Sequence, residues 1–136
     1  MKNNIYYITD SQKKTLIKSS TKNADIYLAE LNGEIIPTLN DYLKKIGETF
    51  KFPVFSNYDT LNLDAYLDWI TDLSWLNAQE FVLIIRNFKL FLQDDLKSKK
   101  EILEDFKEVV LPWWEKEVGQ YVVGGKAKPF SIYFVD

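Results

Sequence analysis

The chain of 136 residues contains no cysteine and no histidine. Without cysteine it can form no disulfide, no thiolate nucleophile and no cysteine-ligated zinc site. Without histidine it has no imidazole base or metal ligand, and no Ser–His or Cys–His nucleophile pair. Catalysis would have to rely on carboxylates, lysine or tyrosine, with a hard metal such as magnesium. We therefore expect a protein that is not an enzyme and that uses no metal and no cofactor.

Long apolar runs are also missing. The longest stretch without a charged residue, Val118 to Gly125, has eight positions. A bilayer-spanning helix needs about 20 apolar residues, so we expect no membrane partner. The first residues offer only the short apolar run Ile5 to Ile8, soon followed by Asp10, which is not the pattern of a secretory leader. The expected location is the cytoplasm.

Basic residues are absent from one long window. The chain has 17 Lys and Arg against 20 Asp and Glu, but there is neither Lys nor Arg between Phe52 and Ile85. The acidic residues of that window are Asp59, Asp64, Asp68, Asp72 and Glu80. Nucleic acid would be repelled there, because phosphate binding needs clustered Lys and Arg. The window favours a positively charged protein partner and argues against nucleic-acid binding.

The order of predicted elements indicates an α/β fold of one domain. The predicted elements are strands at 26–31, 81–85 and 130–135 and helices at 39–50, 63–73 and 98–113. Helical crossovers between strands imply a small parallel sheet of three or four strands, packed with three to four helices. Residues 1–24 are interpreted as an amino-terminal extension that has a short strand-like run at Ile5 to Ile8 and is otherwise of uncertain structure, and residues 25–136 as the domain itself.

Capping and breaking residues mark the ends of these helices. The predicted caps are Thr38 with Asp41, Asn62, and Ser98 with Glu101. Pro112 is expected to end or kink the last helix, because it lacks the N–H that a helix interior needs. A further short strand is predicted at Tyr121–Val123, before a Gly–Gly turn.

The second predicted helix carries an acidic stripe. Asp64, Asp68 and Asp72 fall with Thr71 within one arc of about 100 degrees, given 3.6 residues per turn. Like charges four residues apart destabilise a helix by about 0.2 to 0.5 kcal/mol per pair. A solvated helix face is the ordinary explanation, but the base-free window favours a binding surface instead. Tyr58, on the preceding loop, is a candidate contact, whereas Trp69 and Trp75 are expected to pack.

An enzymatic interpretation of the same carboxylates is weaker. Asp64 and Asp68 are spaced so that they could share a magnesium ion. Magnesium sites usually work with substrate phosphates and a nearby cation, and this window has no Lys, no Arg and no glycine-rich phosphate loop. The acidic pair is therefore better explained as a protein-binding feature.

The run from Asn62 to Asp72, preceded by Phe52-Pro53, resembles the barstar family of intracellular ribonuclease inhibitors. The shared pattern is Asn-x-Asp-Ala at the start of the second helix, an Asp four residues after the first, and a Thr beyond it. The resemblance covers about residues 26–111 and 130–136 and implies a barstar-like fold. It also implies inhibition of a secreted barnase-type ribonuclease, with an acidic helix and loop inserted into its basic active site.

The resemblance assigns roles to individual positions. Asp68 matches the central inhibitory aspartate, Asp64 an earlier acidic contact, and Thr71 the contact that follows. Glu108 matches an acidic residue on a later helix. The candidate binding residues are Asp64, Asp68, Thr71, Glu108, Tyr58, Leu67 and Asp72.

Two departures from the family pattern keep a second hypothesis open. Leu67 stands where the inhibitor has a large aromatic, and the loop between Pro53 and Asn62 is longer and lacks the usual glycine. The leading hypothesis is an immunity protein against a basic extracellular-type ribonuclease or another toxin nuclease. The alternative is a barstar-fold binding module for another cationic partner, without nuclease inhibition.

Overall fold

A computed structural model describes residues 2–53, 58, 61–116 and 127–136. The strands are β1 (Ile5–Ile8), β2 (Ile26–Asn32), β3 (Glu80–Arg86) and β4 (Phe130–Val135), and the helices are α1 (Asp10–Ser20), α2 (Leu39–Thr49), α3 (Leu63–Ile70), α4 (Leu96–Asp105) and α5 (Leu111–Glu115). Within these described ranges, no helix is long and apolar enough to span a membrane.

The strands form one parallel sheet in the order β1-β4-β3-β2. This confirms the predicted α/β architecture with a parallel sheet, which has four strands among the described residues. β3 lies in the interior of the sheet, and its residues Phe81 to Ile85 are all buried. The continuous apolar run of β3 is explained by this position, because a parallel strand is covered on both faces.

The first 24 residues contribute directly to the sheet. β1 pairs with β4 from Ile5 opposite Ile132 to Ile8 opposite Val135. α1 follows at once and begins with a capping box, in which Thr9 and Gln12 satisfy each other's backbone N–H groups. The segment predicted as an extension therefore supplies an edge strand and a helix.

The two faces of the sheet are covered unequally. One face carries the main core, in which Phe81, Phe130 and Trp114 pack as a group of aromatic rings. The other face carries a small cluster built on Val82 and Ile84. Most of the hydrophobic stabilisation therefore comes from the face that also holds α3, because free energy follows buried apolar area.

The last helical stretch differs from its prediction. α4 begins at Leu96, and Asp95 is its cap, since the Asp95 carboxylate accepts the N–H of Ser98 at 3.2 Å. The predicted cap at Ser98 is therefore wrong, and Ser98 is buried inside the helix. Asp95, three residues earlier, caps the helix by accepting the N–H of Ser98, so Ser98 lies within the helix.

Pro112 does not end the helical stretch. Residues Phe106–Val110 form a π-helical turn, and α5 follows with Pro112 in its first turn. Pro112 is the second residue of α5, a position at which the fixed φ of proline is compatible with helical geometry. The predicted strand Tyr121–Val123 lies outside the described residues.

Candidate partner-binding surface

The acidic pair is displayed by a short helix that is fixed at both ends. α3 starts after Asn62, whose side-chain oxygen accepts the N–H of Ala65 at 2.8 Å, as predicted. At the other end, the indole N–H of Trp114 donates to the carbonyl of Ile70 at 3.1 Å. α3 is thus tied to α5 through a buried hydrogen bond, and its position does not depend on its exposed face.

A pair of buried tyrosines lies beneath α3. The hydroxyl groups of Tyr42 on α2 and Tyr66 on α3 are 2.7 Å apart, and neither side chain reaches solvent. Burial is the main reason why the pKa of each tyrosine is raised, so both stay neutral. The pair locks the rotation of α3, which turns Asp64 and Asp68 outward. This pair cannot be predicted from the sequence, because an apolar stripe does not show which buried hydroxyl groups meet.

Asp64 and Asp68 are exposed on the outer side of α3. Among the described residues, neither takes part in an ion pair; the ion pairs found there lie around Lys13, Glu30 and Arg86, with others on α1 and α2. Two carboxylates four residues apart therefore remain without compensation in this part of the chain. Such an arrangement costs a little stability in the free protein.

The predicted acidic stripe is wrong at its far end. α3 stops at Ile70, so Thr71 and Asp72 lie beyond it rather than on it. The hydroxyl of Thr71 donates to the carbonyl of Leu67 at 2.6 Å, and the carboxylate of Asp72 accepts the N–H of Ser74 at 3.2 Å. Both residues close the helix end. The spacing of apolar residues predicts a helix that extends to Leu73. In the structure Leu73 is indeed buried, but it reaches the core from a left-handed turn after the helix has ended.

Tyr58 faces the protein more than solvent. Its hydroxyl donates to the carbonyl of Phe52 at 3.1 Å, and its ring lies on α2. A Cβ atom at Gly47 would come within 2.6 Å of the ring, so this helical glycine makes room for Tyr58. Leu67 is also partly buried against the main core. The side chains of Tyr58 and Leu67 are each partly exposed to solvent, but both also pack against the protein.

Trp69 and Trp75 pack as predicted. Their ring centres lie 5.5 Å apart in an edge-to-face arrangement. The indole N–H of Trp75 also donates to the carbonyl of Phe50 at 2.9 Å. Trp69 on α3 and Trp75 after it therefore pack against each other rather than project into solvent.

A second acidic group flanks the first. Glu108 is exposed in the π-helical turn between α4 and α5. Asp105, one turn earlier, has a raised pKa, chiefly because of partial burial and then because Glu101, Glu104 and Glu108 repel its charge. Asp105 also interacts electrostatically with the buried tyrosine of α3, Tyr66. Asp105 is thus within electrostatic reach of α3, and of these acidic residues the sequence singles out only Glu108.

Metal binding was considered for the acidic side chains of the described residues. Within the described ranges, no group of three or more acidic side chains is arranged to hold a metal ion. Magnesium binding by Asp64 and Asp68 alone would leave most of the coordination to water. The arrangement supplies exposed negative charge on a rigid support.

The family of the chain follows from a comparison with known protein families. A sequence model of the family described as barstar (barnase inhibitor) matches residues 26–125. The chain belongs to the barstar family. The match includes α3 with Asp64 and Asp68, and it extends through Glu108. β1 and α1 lie before the matched region of this barstar family member. The chain matches none of the functionally curated proteins with which it was compared.

Solved structures that resemble this barstar family member share its fold only. One is the Aeropyrum pernix ORC2 protein in ADPNP-ADP complexes, at 13% identity and a TM-score of 0.64. Another is Drosophila ORC bound to DNA, at 14% identity and a TM-score of 0.52. The chain is covered to 98% in both, but it spans only 35% and 32% of those chains. At such identities the likeness extends to the α/β architecture and not to activity.

Phosphate chemistry does not follow from that likeness. The sequence contains no G-x-x-x-x-G-K-[ST] motif, which cradles nucleotide phosphates in many α/β proteins. The barstar family, by contrast, is described by its inhibition of barnase. The family and the exposed carboxylates therefore point in the same functional direction.

Proposed function

We propose that this protein is an immunity protein that binds and blocks a basic, secreted, barnase-type ribonuclease. The observation that carries the proposal is the pair Asp64 and Asp68, exposed on α3 and unpaired within the described part of the chain. The pair lies in a window of 34 positions, Phe52 to Ile85, without any Lys or Arg. The barstar family match supports a ribonuclease as the kind of partner.

The chemistry of the proposed contact is charge substitution. A ribonuclease active site holds cationic groups that bind the phosphates of RNA. A carboxylate inserted among guanidinium groups forms short charge-assisted hydrogen bonds, as a phosphate would. Asp68 is the proposed central contact, with Asp64 beside it. Within the described part of the chain neither carboxylate is neutralised, so both charges are available there to a partner.

The support of α3 makes this binding efficient. The Tyr42–Tyr66 contact, the Asn62 cap and the Trp114–Ile70 bond hold α3 before any partner arrives. Preorganisation lowers the entropic cost of association. The binding surface therefore needs little adjustment when it docks.

The other candidate residues have graded roles in this proposal. Glu108 supplies a second acidic contact from the flank, and Thr71 and Asp72 border the helix end. Tyr58 and Leu67 provide an apolar rim, with only their outer parts free. The acidic field of the whole surface would also speed encounter with a basic partner, an effect that weakens with salt.

The test is inhibition of RNA hydrolysis by a purified barnase-type ribonuclease, with the dissociation constant measured in parallel. Asp68→Ala is expected to weaken binding by about 2 to 5 kcal/mol, the range for one partner of a desolvated charge pair, for which barnase and barstar themselves are a worked example. Asp94→Ala is the matched control, because it removes another exposed aspartate that lies outside α3.

Two outcomes would contradict the proposal. If the protein leaves RNA hydrolysis unchanged at concentrations at which it binds the enzyme, it is not an inhibitor and another cationic partner is favoured. If Asp68→Ala and Asp94→Ala change affinity equally, the contact does not involve the exposed face of α3.

A further inference from the structure

Asn3, just before β1, is one of three polar side chains that are buried among the described residues. Its side-chain amide donates to the carbonyl of Leu111, the first residue of α5, at 3.2 Å. Its side-chain oxygen accepts the N–H of Phe130, the first residue of β4, at 3.1 Å. Asn3 therefore joins the amino-terminal segment both to α5 and to the sheet.

The backbone of Asn3 holds the other end of α5. Its N–H donates to the carboxylate of Glu115, the last residue of α5, at 2.6 Å. A short hydrogen bond to a carboxylate is stronger than one between two neutral groups. Lys2 and Lys107 line the cleft beside this contact, but none of the ion pairs of the described residues joins them to Glu115. Asn3 thus contacts α5 at both of its ends.

α5 needs such outside support because it has little of its own. It contains five residues, whereas an isolated helix needs about 12 to 15 to be even marginally stable. Pro112 supplies no N–H, and the N–H of Leu111 donates to the carbonyl of Phe106 across the π-helical turn. The helical hydrogen bonding is therefore interrupted where α5 begins, so the position of α5 depends on contacts with other segments.

α5 in turn holds the end of α3 that lies near Asp68. Trp114 is buried, and its indole N–H bonds the carbonyl of Ile70, the last residue of α3. Carbonyl groups in the last turn of a helix have no partner within the helix, so this bond fixes the helix end. Asp68 is two residues before Ile70, whereas Asp64 is two residues after the Asn62 cap. The two carboxylates therefore depend on different supports.

We propose that Asn3 is a positioning residue for the partner-binding surface, and that it acts on Asp68 through α5 and Trp114. This inference rests on the function proposed above. Coupling between distant sites is carried by contiguous hydrogen bonds and packed side chains, and each step of this path is a direct contact. Asn3 precedes residues 26–125, so this support lies outside the region that the barstar family model matches.

The expected consequence is a change in geometry at one carboxylate. Without the Asn3 contacts, α5 can shift, and the end of α3 held by Trp114 shifts with it. Asp68 then meets the cations of a partner at poorer distances and angles, which weakens charge-assisted hydrogen bonds steeply. Asp64 keeps its place because the Asn62 cap does not depend on α5.

Two substitutions of Glu115 test the contact without disturbing the core, since this side chain is only partly buried. Glu115→Ala removes the acceptor of the Asn3 N–H, whereas Glu115→Gln removes the charge but keeps an oxygen as acceptor. The affinity for a purified barnase-type ribonuclease should fall by about 3- to 10-fold in Glu115→Ala, the effect of about one hydrogen bond, and stay close to natural in Glu115→Gln. Equal losses in the two variants would overturn the proposal, because they would report the lost charge.

Asn3→Ala, combined with Asp68→Ala or Asp64→Ala, tests which carboxylate is positioned. The losses of affinity from Asn3→Ala and Asp68→Ala should be non-additive, and those from Asn3→Ala and Asp64→Ala additive. Val82→Ala is the control, because it weakens the small cluster on the other face of the sheet. Additive losses at Asp68, or an equal loss of affinity in Val82→Ala, would overturn the proposal. The Glu115 variants decide the matter if Asn3→Ala does not fold.

Amide hydrogen exchange in the free protein tests the coupling without any ribonuclease. The N–H of Thr71 reports on the end of α3, where it bonds the carbonyl of Leu67, and the N–H of Tyr66 reports on the start, where it bonds the carbonyl of Asn62. Exchange should become faster at Thr71 than at Tyr66 in Glu115→Ala, and at neither in Glu115→Gln. Unchanged exchange at Thr71 in Glu115→Ala would overturn the proposal. Faster exchange there, in a protein that does not inhibit the ribonuclease, would support the coupling and contradict only the proposed function.

Discussion

Two charged regions of this protein are built in opposite ways. Around Glu30, one carboxylate meets Lys13 at 3.4 Å and Arg86 at 3.7 Å, so the fold neutralises its own charges. On α3, Asp64 and Asp68 meet no cation among the described residues, and neutral groups hold the helix. A surface that supports the fold has its charges paired within the chain. The surface proposed to bind a partner is held from beneath by uncharged contacts and, among the described residues, leaves its charges unpaired.

The two regions should also differ in how strongly their stability depends on salt concentration. Ion pairs at the surface weaken as salt rises, because counterions screen them. A buried contact between two hydroxyl groups does not depend on ionic strength in this way. The acidic helix should therefore keep its position under conditions that loosen the Glu30 cluster, and only its attraction for a partner should be sensitive to salt.

The largest expected effect on stability comes from breaking the neutral support. Tyr42→Phe leaves the hydroxyl of Tyr66 buried without its partner, and a buried unsatisfied polar group costs about 1 to 3 kcal/mol. Tyr66→Phe should cost a similar amount. The double substitution removes both hydroxyls, so it should cost less than the sum of the two single changes. The free energy of unfolding from urea denaturation measures all of these effects.

The double-mutant cycle also sharpens the comparison of the two regions. The coupling energy between Tyr42 and Tyr66 should be the same at low and at high salt. Strictly additive losses would show that the two hydroxyls do not stabilise one another, and the neutral support of α3 would then have to come from the cap and from Trp114.

Breaking the paired region should have a smaller effect. Glu30→Gln removes the carboxylate that Lys13 and Arg86 share, and the three side chains are 15% to 41% exposed. Partly exposed ion pairs contribute about 0 to 1 kcal/mol, so the loss of stability should stay below about 1 kcal/mol and disappear at high salt. Ribonuclease inhibition should not change. A clear loss of inhibition in Glu30→Gln would show that the binding surface includes the region around Glu30, contrary to the proposal that it lies on α3.

The parts of the fold that could be predicted are those that local pattern determines. The buried run of β3 and the caps Thr38 and Asn62 were all recognised, because burial on both faces and N-terminal hydrogen bonding leave direct marks on sequence. The family match then confirmed the resemblance carried by the α3 segment.

The parts that could not be predicted depend on contacts between distant residues. The end of α3 was placed too late because Leu73 is buried, and spacing cannot tell a helical residue from one in a left-handed turn. The role of β1 depends on pairing with β4, more than a hundred residues away in the chain. The Tyr42–Tyr66 contact and the approach of Asp105 to α3 likewise exist only after folding.

The smallest expected effect concerns Asp105, the last residue of α4, which interacts electrostatically with the buried Tyr42 of α2 and Tyr66 of α3. Its pKa is raised in the folded protein by partial burial and by Glu101, Glu104 and Glu108. The folded state therefore binds a proton more tightly than the unfolded chain does. Stability falls as pH rises from the ordinary carboxyl range of about 4 through this raised pKa. Asp105→Asn cannot ionise, so it should be slightly more stable than the natural chain near neutral pH. Measured between mildly acidic and neutral pH, the stability difference between the two proteins should grow with pH. A constant difference would show that the pKa of Asp105 is not raised by burial or by Glu101, Glu104 and Glu108.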